Sequence, residues 1–309
     1  MPNRRRARGG HRAAAQKRFY AARGYLVIPD LLTARELARL RAALATLLRS
    51  ARRLRRSNDT FMIVRGLDNA HHVSRIRNPI AHHRRFHELV FHPRILDVVE
   101  NLIGPNLQLQ QSRLILKPRT PGAWFDWHQD FPAFPHTNFD LLIVTVYLDD
   151  SMLDNGCLTV IPGSHRLGPL PHRFTFDGAP RTQLVDPRVV SDRSRWLKTP
   201  VPAGGIQVHH ANLLHSSEAN LSDRPRSALQ LWYRAADNVQ VGGWTEFAGW
   251  GLQVRGVAPG TVRMAAGTCR LPGGTAIGPA PATGSRPATS SRRSAPGGAR
   301  RRRRSAPAS

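Results

Sequence analysis

The chain has 309 residues, 40% of them hydrophobic, which suffices for one sizeable core. Its two cysteines, Cys157 and Cys269, lie far apart with no CxxC or Cys/His zinc spacing, which excludes a disulfide scaffold and a structural zinc site and fits a reducing cytoplasm. The net charge of +26 suggests nucleic acid, but residues 1–23 carry eight Arg/Lys and residues 265–309 nine Arg, with no acid in either. Lysine is confined to Lys17, Lys117 and Lys198, so the skew reads as an arginine-rich composition with basic ends, and no specific nucleic-acid partner is expected.

Residues 1–18 read as a disordered basic arm with no apolar stretch behind it, so a secretory signal is not expected. Phe19 to Pro29 reads as a helix end, a turn at Gly24 and a strand. Thr33-Ala-Arg-Glu36 is a capping-box pattern, and Leu37, Leu40, Leu44, Leu47 and Leu48 follow at helical spacing, which predicts a helix over 34–50. Pro93, then Ile95, Leu96, Val98, Val99 and Leu102, stopped by Gly104-Pro105, predicts a second helix.

From about residue 106 the texture changes to short apolar runs separated by Gly, Pro, Asn and Asp. Strands are predicted at 107–117, 141–148, 158–161, 207–209 and 228–234. The run 141–148 is far shorter than the roughly 20 residues of a membrane helix, so no membrane association is expected. Helices followed by many strands imply a mainly β protein: a helical part at 19–105 buttressing a barrel or double-sheet jelly roll at 106–240. Residues 265–309, rich in Gly, Ala, Pro, Ser and Arg and ending near Arg300–Arg304, are expected to be a disordered tail beyond a domain spanning 19–264.

The strongest local signal is Trp127-His128-Gln129-Asp130. On an extended segment His128 and Asp130 share one side, because strand side chains alternate with period two, and can bind one metal at adjacent positions. A distal histidine would complete a two-histidine, one-carboxylate triad suited to iron(II) and oxygen chemistry. Downstream, Gly204-Gly205 leads through His209-His210 to Leu214-His215-Ser216-Ser217, with Arg226 eleven residues after His215.

These pieces, with Gly156-Cys-Leu-Thr-Val-Ile-Pro-Gly-Ser-His165 and the entry segment Phe19-Tyr-Ala-Ala-Arg-Gly24-Tyr25, resemble the phytanoyl-CoA dioxygenase family of iron(II)/2-oxoglutarate oxygenases over roughly residues 19–235. The resemblance implies a double-stranded β-helix (cupin-like) core and the cofactors Fe(II), 2-oxoglutarate and O2. It implies His128, Asp130 and His215 as iron ligands, with His209 and His210 as nearby alternatives to the distal one. Arg226 is the implied partner of the 2-oxoglutarate C5 carboxylate, a role that suits a planar guanidinium fork. Ser217, Lys117 and Gln110 match weaker cosubstrate-lining positions. The implied reaction hydroxylates an unactivated C–H bond of a small metabolite and releases succinate and CO2. Related halogenases carry a small residue in place of the carboxylate, and Asp130 points away from them.

Three alternatives remain at this stage: a nucleic-acid dealkylase with the same cofactors, an inactive jelly-roll binding protein, and a cupin-type metal enzyme without 2-oxoglutarate, against which Arg226 speaks. Trp124, Phe125, Phe131 and Phe134 either line a substrate pocket or cap the barrel. His71, His72, His82, His83, His87 and His92 lack a matching carboxylate and read as surface or pocket residues, and His165 reads as structural.

Overall fold

In the computed structural model, residues 3–120, 123–176, 180–243, 251–265 and 267–270 are described. Most of the expected tail lies outside these residues.

Helix α1 spans Asn3–Arg23, so the segment expected to be irregular is helical. Ala, Arg, Gln and Lys are strong helix formers, and no proline follows Pro2 in this stretch. Tyr20 is buried in the main core, and Asn101 Nδ2 donates to the Ala13 carbonyl at 2.8 Å. Gly24, at φ +78°, closes the helix and turns the chain into strand β1 (Tyr25–Ile28). Helix α2 (Ala34–Ala51) carries the predicted capping box: Thr33 N donates to Glu36 Oε2 at 2.7 Å, and Glu36 N donates to Thr33 Oγ1 at 3.3 Å. It buries Leu40, Ala43, Leu44 and Leu47, while Leu48 stays exposed at its edge.

The section expected to be helical also contains a hairpin, β2 (Phe61–Arg65) and β3 (His71–Arg77), before helices α3 (Pro79–His82), α4 (Arg84–Val90) and α5 (Pro93–Ile103). The hairpin was hidden because β3 mixes apolar residues with His, Ser and Arg, which blurs the strand pattern, while β2 is only a short apolar run ending in Arg65. The remaining strands are β4 (Leu107–Lys117), β5 (Phe125–His128), β6 (Leu141–Tyr147), β7 (Leu158–Val160), β8 (His172–Phe176), β9 (Pro180–Leu184), β10 (Leu197–Thr199), β11 (Ile206–His210), β12 (His215–Ser217), β13 (Arg226–Ala235), β14 (Leu252–Arg255), β15 (Thr261–Met264) and β16 (Gly267–Arg270). Strand β16 pairs with β15, so regular structure continues past residue 264.

The architecture is a jelly roll. The larger sheet runs β1-β11-β6-β13-β4-β3-β2, with β14 also on β4, and the smaller runs β10-β7-β12-β5. Strand β13 shows why the larger sheet separates core from site. Leu229, Leu231 and Tyr233 alternate onto the face that packs under the helices, with Leu40, Phe86, Ile95 and Val99 in the same cluster. Complete burial of a leucine such as Leu231 contributes roughly 2–3 kcal/mol. Tyr233 satisfies its buried hydroxyl by donating to the Val90 carbonyl at 2.9 Å. The intervening residues Arg226, Ala228 and Gln230 face the smaller sheet and line a cavity. Among the described residues no helix is long and apolar enough to cross a membrane.

Candidate metal centre

Strand β5 ends at His128, which pairs directly with His215 on β12. Asp130 lies just beyond the strand, at φ −78° and ψ −35°, where a 3-10 turn begins. The backbone amides of Asp130 and Phe131 both donate to the Ala211 carbonyl, at 2.9 and 3.0 Å, and fix this bend. His128 and Asp130 therefore meet through a turn, not through the strand alternation that the sequence suggested. The ligand atoms of His128, Asp130 and His215 all lie within 4.8 Å of one another. Asp130 Oδ1 is 3.8 Å from His128 Nε2, and Asp130 Oδ2 is 3.7 Å from His215 Nε2.

The imidazoles are oriented for ligation. His128 Nδ1 sits 2.7 Å from the Asp126 carbonyl and His215 Nδ1 2.9 Å from the Leu213 carbonyl, contacts that place a proton on each Nδ1. Each Nε2 lone pair then faces the shared point, the second-sphere pattern of metal-binding histidines. Burial pushes the His128 pKa down and that of His215 well below the ordinary range. Burial alone would raise the Asp130 pKa, but the electrostatic influence of the adjacent His215 ring and the hydrogen bond from His209 outweigh it and hold the carboxyl far below the usual range. Two neutral imidazoles and one carboxylate are the donor set a divalent transition metal requires.

Two neighbours support this arrangement. His209, fully buried on β11, has Nε2 3.2 Å from Asp130 Oδ2 and steadies that carboxylate. Gln129, between the two ligands, points the other way: its Nε2 donates to the carbonyls of Gly168 and Asn212 at 2.9 and 2.7 Å, and its Oε1 accepts from Leu170 N at 2.8 Å. The motif is thus fastened to two loops by its middle residue. The sequence offered His209 only as a rival ligand and gave no signal for Gln129 beyond its place in the motif.

The triad opens into a cavity with two lobes, and His128, Asp130, Arg113, Ile115 and Phe125 line both. The smaller lobe, about 510 Å³ with its opening, lies between the sheets beside His215, Ser217, Thr145, Tyr147 and Arg226. Arg226 is 3% exposed, donates from Nε to Ser151 Oγ at 3.2 Å and stacks on the Tyr147 ring at 5.3 Å. Thr145 Oγ1, which sequence reasoning missed, is buried in this lobe with no hydrogen-bond partner among the described residues. Ser217 lines the same lobe and donates to the Gly156 carbonyl at 2.9 Å.

Lys117 and Gln110 are placed differently. The Lys117 ammonium donates to the Ser217 carbonyl at 3.2 Å and also to that of Glu218, tying β4 to the chain beyond β12, and it borders the larger lobe. Burial lowers its pKa well below the ordinary value, with Arg226 adding repulsion. Gln110 lines neither lobe. The register of β4 on β13 slips between Trp232 and Tyr233, where Gln111 and Leu109 find partners and residue 110 is the extra one. Its amide bonds Gln240, and its Oε1 lies 3.3 Å from His136 Nε2.

The larger lobe, about 870 Å³ with its open mouth, is walled by Met62, Trp124, Phe125, Phe134, Arg75 and Arg113 among others. Phe131 packs instead in a small core cluster with Phe134, Ile143 and Trp232. Several of the remaining histidines have local partners: His72 bonds Asp68, His83 caps α4, His92 meets Glu36, and His165 Nε2 lies 3.2 Å from the Ala21 carbonyl. Among the described residues the triad is the one cluster able to hold a metal.

The sequence profile described as "Phytanoyl-CoA dioxygenase (PhyH)" matches residues 20–228. The chain belongs to the phytanoyl-CoA dioxygenase family. Among relatives, the probable alpha-ketoglutarate-dependent hypophosphite dioxygenase of Stutzerimonas stutzeri is 30% identical over 229 residues, covering 72% of this chain and 79% of that one. The ectoine dioxygenase of Halomonas elongata is 30% identical over 251 residues, covering 74% and 72%. The family fold is matched by the crystal structure of EctD from S. alaskensis with 2-oxoglutarate and 5-hydroxyectoine, at a TM-score of 0.62 and 27% identity over 79% of this chain and 85% of that one.

Proposed function

We propose that the protein is an iron(II)- and 2-oxoglutarate-dependent dioxygenase that hydroxylates an unactivated C–H bond of a small metabolite, with His128, Asp130 and His215 as the iron ligands. The observation that carries this reading is the convergence of two Nε2 atoms and one carboxylate at the junction of two lobes, with a buried guanidinium in the smaller lobe. When bound, iron and 2-oxoglutarate supply oxygen activation: one oxygen atom enters succinate as CO2 leaves, and the other enters the substrate as a hydroxyl.

On this reading the two lobes have separate tasks. Arg226 holds the C5 carboxylate of 2-oxoglutarate in the smaller lobe, and the Tyr147 ring and Ser151 hydroxyl keep its fork in place. Ser217 and Thr145 complete the polar lining. Lys117 acts on this site indirectly, by fixing the backbone after His215. The larger lobe receives the substrate against Trp124, Phe125 and Phe134, which exclude water from the reacting face. The catalytic unit runs from α1 through the β15–β16 hairpin. Cys157, buried and without a disulfide partner among the described residues, is consistent with work in the cytoplasm.

Anaerobic titration with iron(II) and then 2-oxoglutarate, watching for the weak visible charge-transfer band of the chelate, tests this assignment. A band in the wild type that fades in Asp130→Ala and Arg226→Ala is expected. Iron binding without a band would refute use of 2-oxoglutarate, and absence of iron binding would refute the metal centre.

A further inference from the structure

The larger lobe is cationic in a way that the chemistry of iron and 2-oxoglutarate leaves unexplained. Arg75 lies on β3, 8% exposed, and lines this lobe. Among the described residues its guanidinium makes no hydrogen bond or ion pair, and it lies over the face of Phe125 at 5.4 Å. Arg113, on the adjacent strand β4, lines the same lobe, donates to Gln111 Oε1 at 2.9 Å and lies over Trp232 at 5.1 Å. Asp126 borders the lobe but bonds Gln183 and forms no ion pair with Arg75. Burial, with repulsion from Arg113 and Arg77, pushes the Arg75 pKa down to about 9, and Asp130 acts in the opposite direction.

The metal and cosubstrate do not neutralise Arg75. On the reading proposed above, the two positive charges of iron and the one of Arg226 balance Asp130 and the two carboxylates of 2-oxoglutarate. Arg75 remains, facing the space left for substrate. A buried cation with no counter-charge is costly unless a ligand supplies one.

We propose that the substrate is a small anion, carrying a carboxylate or a phosphorus oxyanion, and that Arg75, assisted by Arg113, is its receptor. The guanidinium fork sets the orientation of the anionic group, and the aromatic wall takes the body that carries the reacting C–H bond.

The test rests on the iron and 2-oxoglutarate assignment and separates the two claims. The anaerobic enzyme loaded with both is titrated by calorimetry with phenylacetate, its neutral counterpart phenylacetamide, and phenylphosphonate. The wild type is expected to prefer an acid to the amide by at least about tenfold, the effect of one charge-assisted hydrogen bond, and the better acid identifies the anionic group. Arg75→Gln is expected to lose that preference while its charge-transfer band and affinity for 2-oxoglutarate stay unchanged. Without any ligand, Arg75→Gln should melt no lower than the wild type, because no protein acceptor loses a partner. Equal binding of acids and amide by the wild type overturns the proposal. So does lost 2-oxoglutarate affinity in the variant, which would assign Arg75 to the cosubstrate. A fall in melting temperature of more than about 4 °C would make Arg75 structural and likewise overturn it.

Discussion

Replacing Arg226 by glutamine removes the buried guanidinium proposed to hold the C5 carboxylate of 2-oxoglutarate in the smaller lobe. In the folded chain the guanidinium is 3% exposed, with Nε bonded to Ser151 and its face on Tyr147, so the terminal nitrogens are held in the lobe with little freedom to relax. Glutamine is shorter and neutral, and it cannot form the two parallel charge-assisted bonds of a guanidinium on a carboxylate. Such bonds contribute about 2–3 kcal/mol in a buried site, so 2-oxoglutarate should bind about 30- to 150-fold more weakly. Iron affinity should hold within about twofold, because Arg226 is not among the clustered ligands. Anaerobic titration of the iron-loaded variant, read by the charge-transfer band, gives the dissociation constant directly. An unchanged constant would refute the assignment, and an equal loss of iron binding would show that the substitution had disturbed the fold.

Changing His209 to phenylalanine keeps the bulk on β11 but removes the contact to Asp130; iron affinity, measured by competition with a chelator, should fall about 10- to 100-fold, and an unchanged value would make His209 mere packing. Glu36 should shape acid stability. Partial burial opposes its ionisation, but the backbone and hydroxyl of Thr33, with His92 and Arg94, lower its pKa from 4.5 to about 2. Its contribution is therefore complete above the ordinary value and lost as pH falls from 4.5 towards 2, about 1 kcal/mol after allowance for its partial exposure. Glu36→Gln, which can still close the capping box, should flatten the melting-temperature change across that window, and an unaltered slope would refute the linkage. A chain ended after Arg270 should bind iron as the full chain does, whereas one ended after Met264 should melt lower for loss of the β15–β16 pairing; equal melting temperatures would show that the hairpin adds nothing.

The sequence by itself determined what local chemistry and periodicity determine. The capping box at Thr33 and Glu36, the leucine spacing of α2, the Gly24 turn and the apolar run of β6 each follow from forces within a few residues, and each lies where the sequence placed it. His128, Asp130, His215 and Arg226 were legible as candidates because spacing and residue type survive in a linear motif, and the family match over residues 20–228 spans all four positions. Tertiary structure decided the rest. Pairing of β12 with β5 brings His215 opposite His128, and a turn held by Ala211, not strand alternation, delivers Asp130. A one-residue slip in the β4–β13 register removes Gln110 from the cavity, a displacement no local pattern records. The mixed residues of β3 obscured its strand pattern, yet the sheet sets Arg75 against the space beside the cluster of His128, Asp130 and His215. Local sequence fixes the conformation of a segment, but which side chains share a cavity depends on pairings between strands distant along the chain, and those are settled only when the two sheets close on each other.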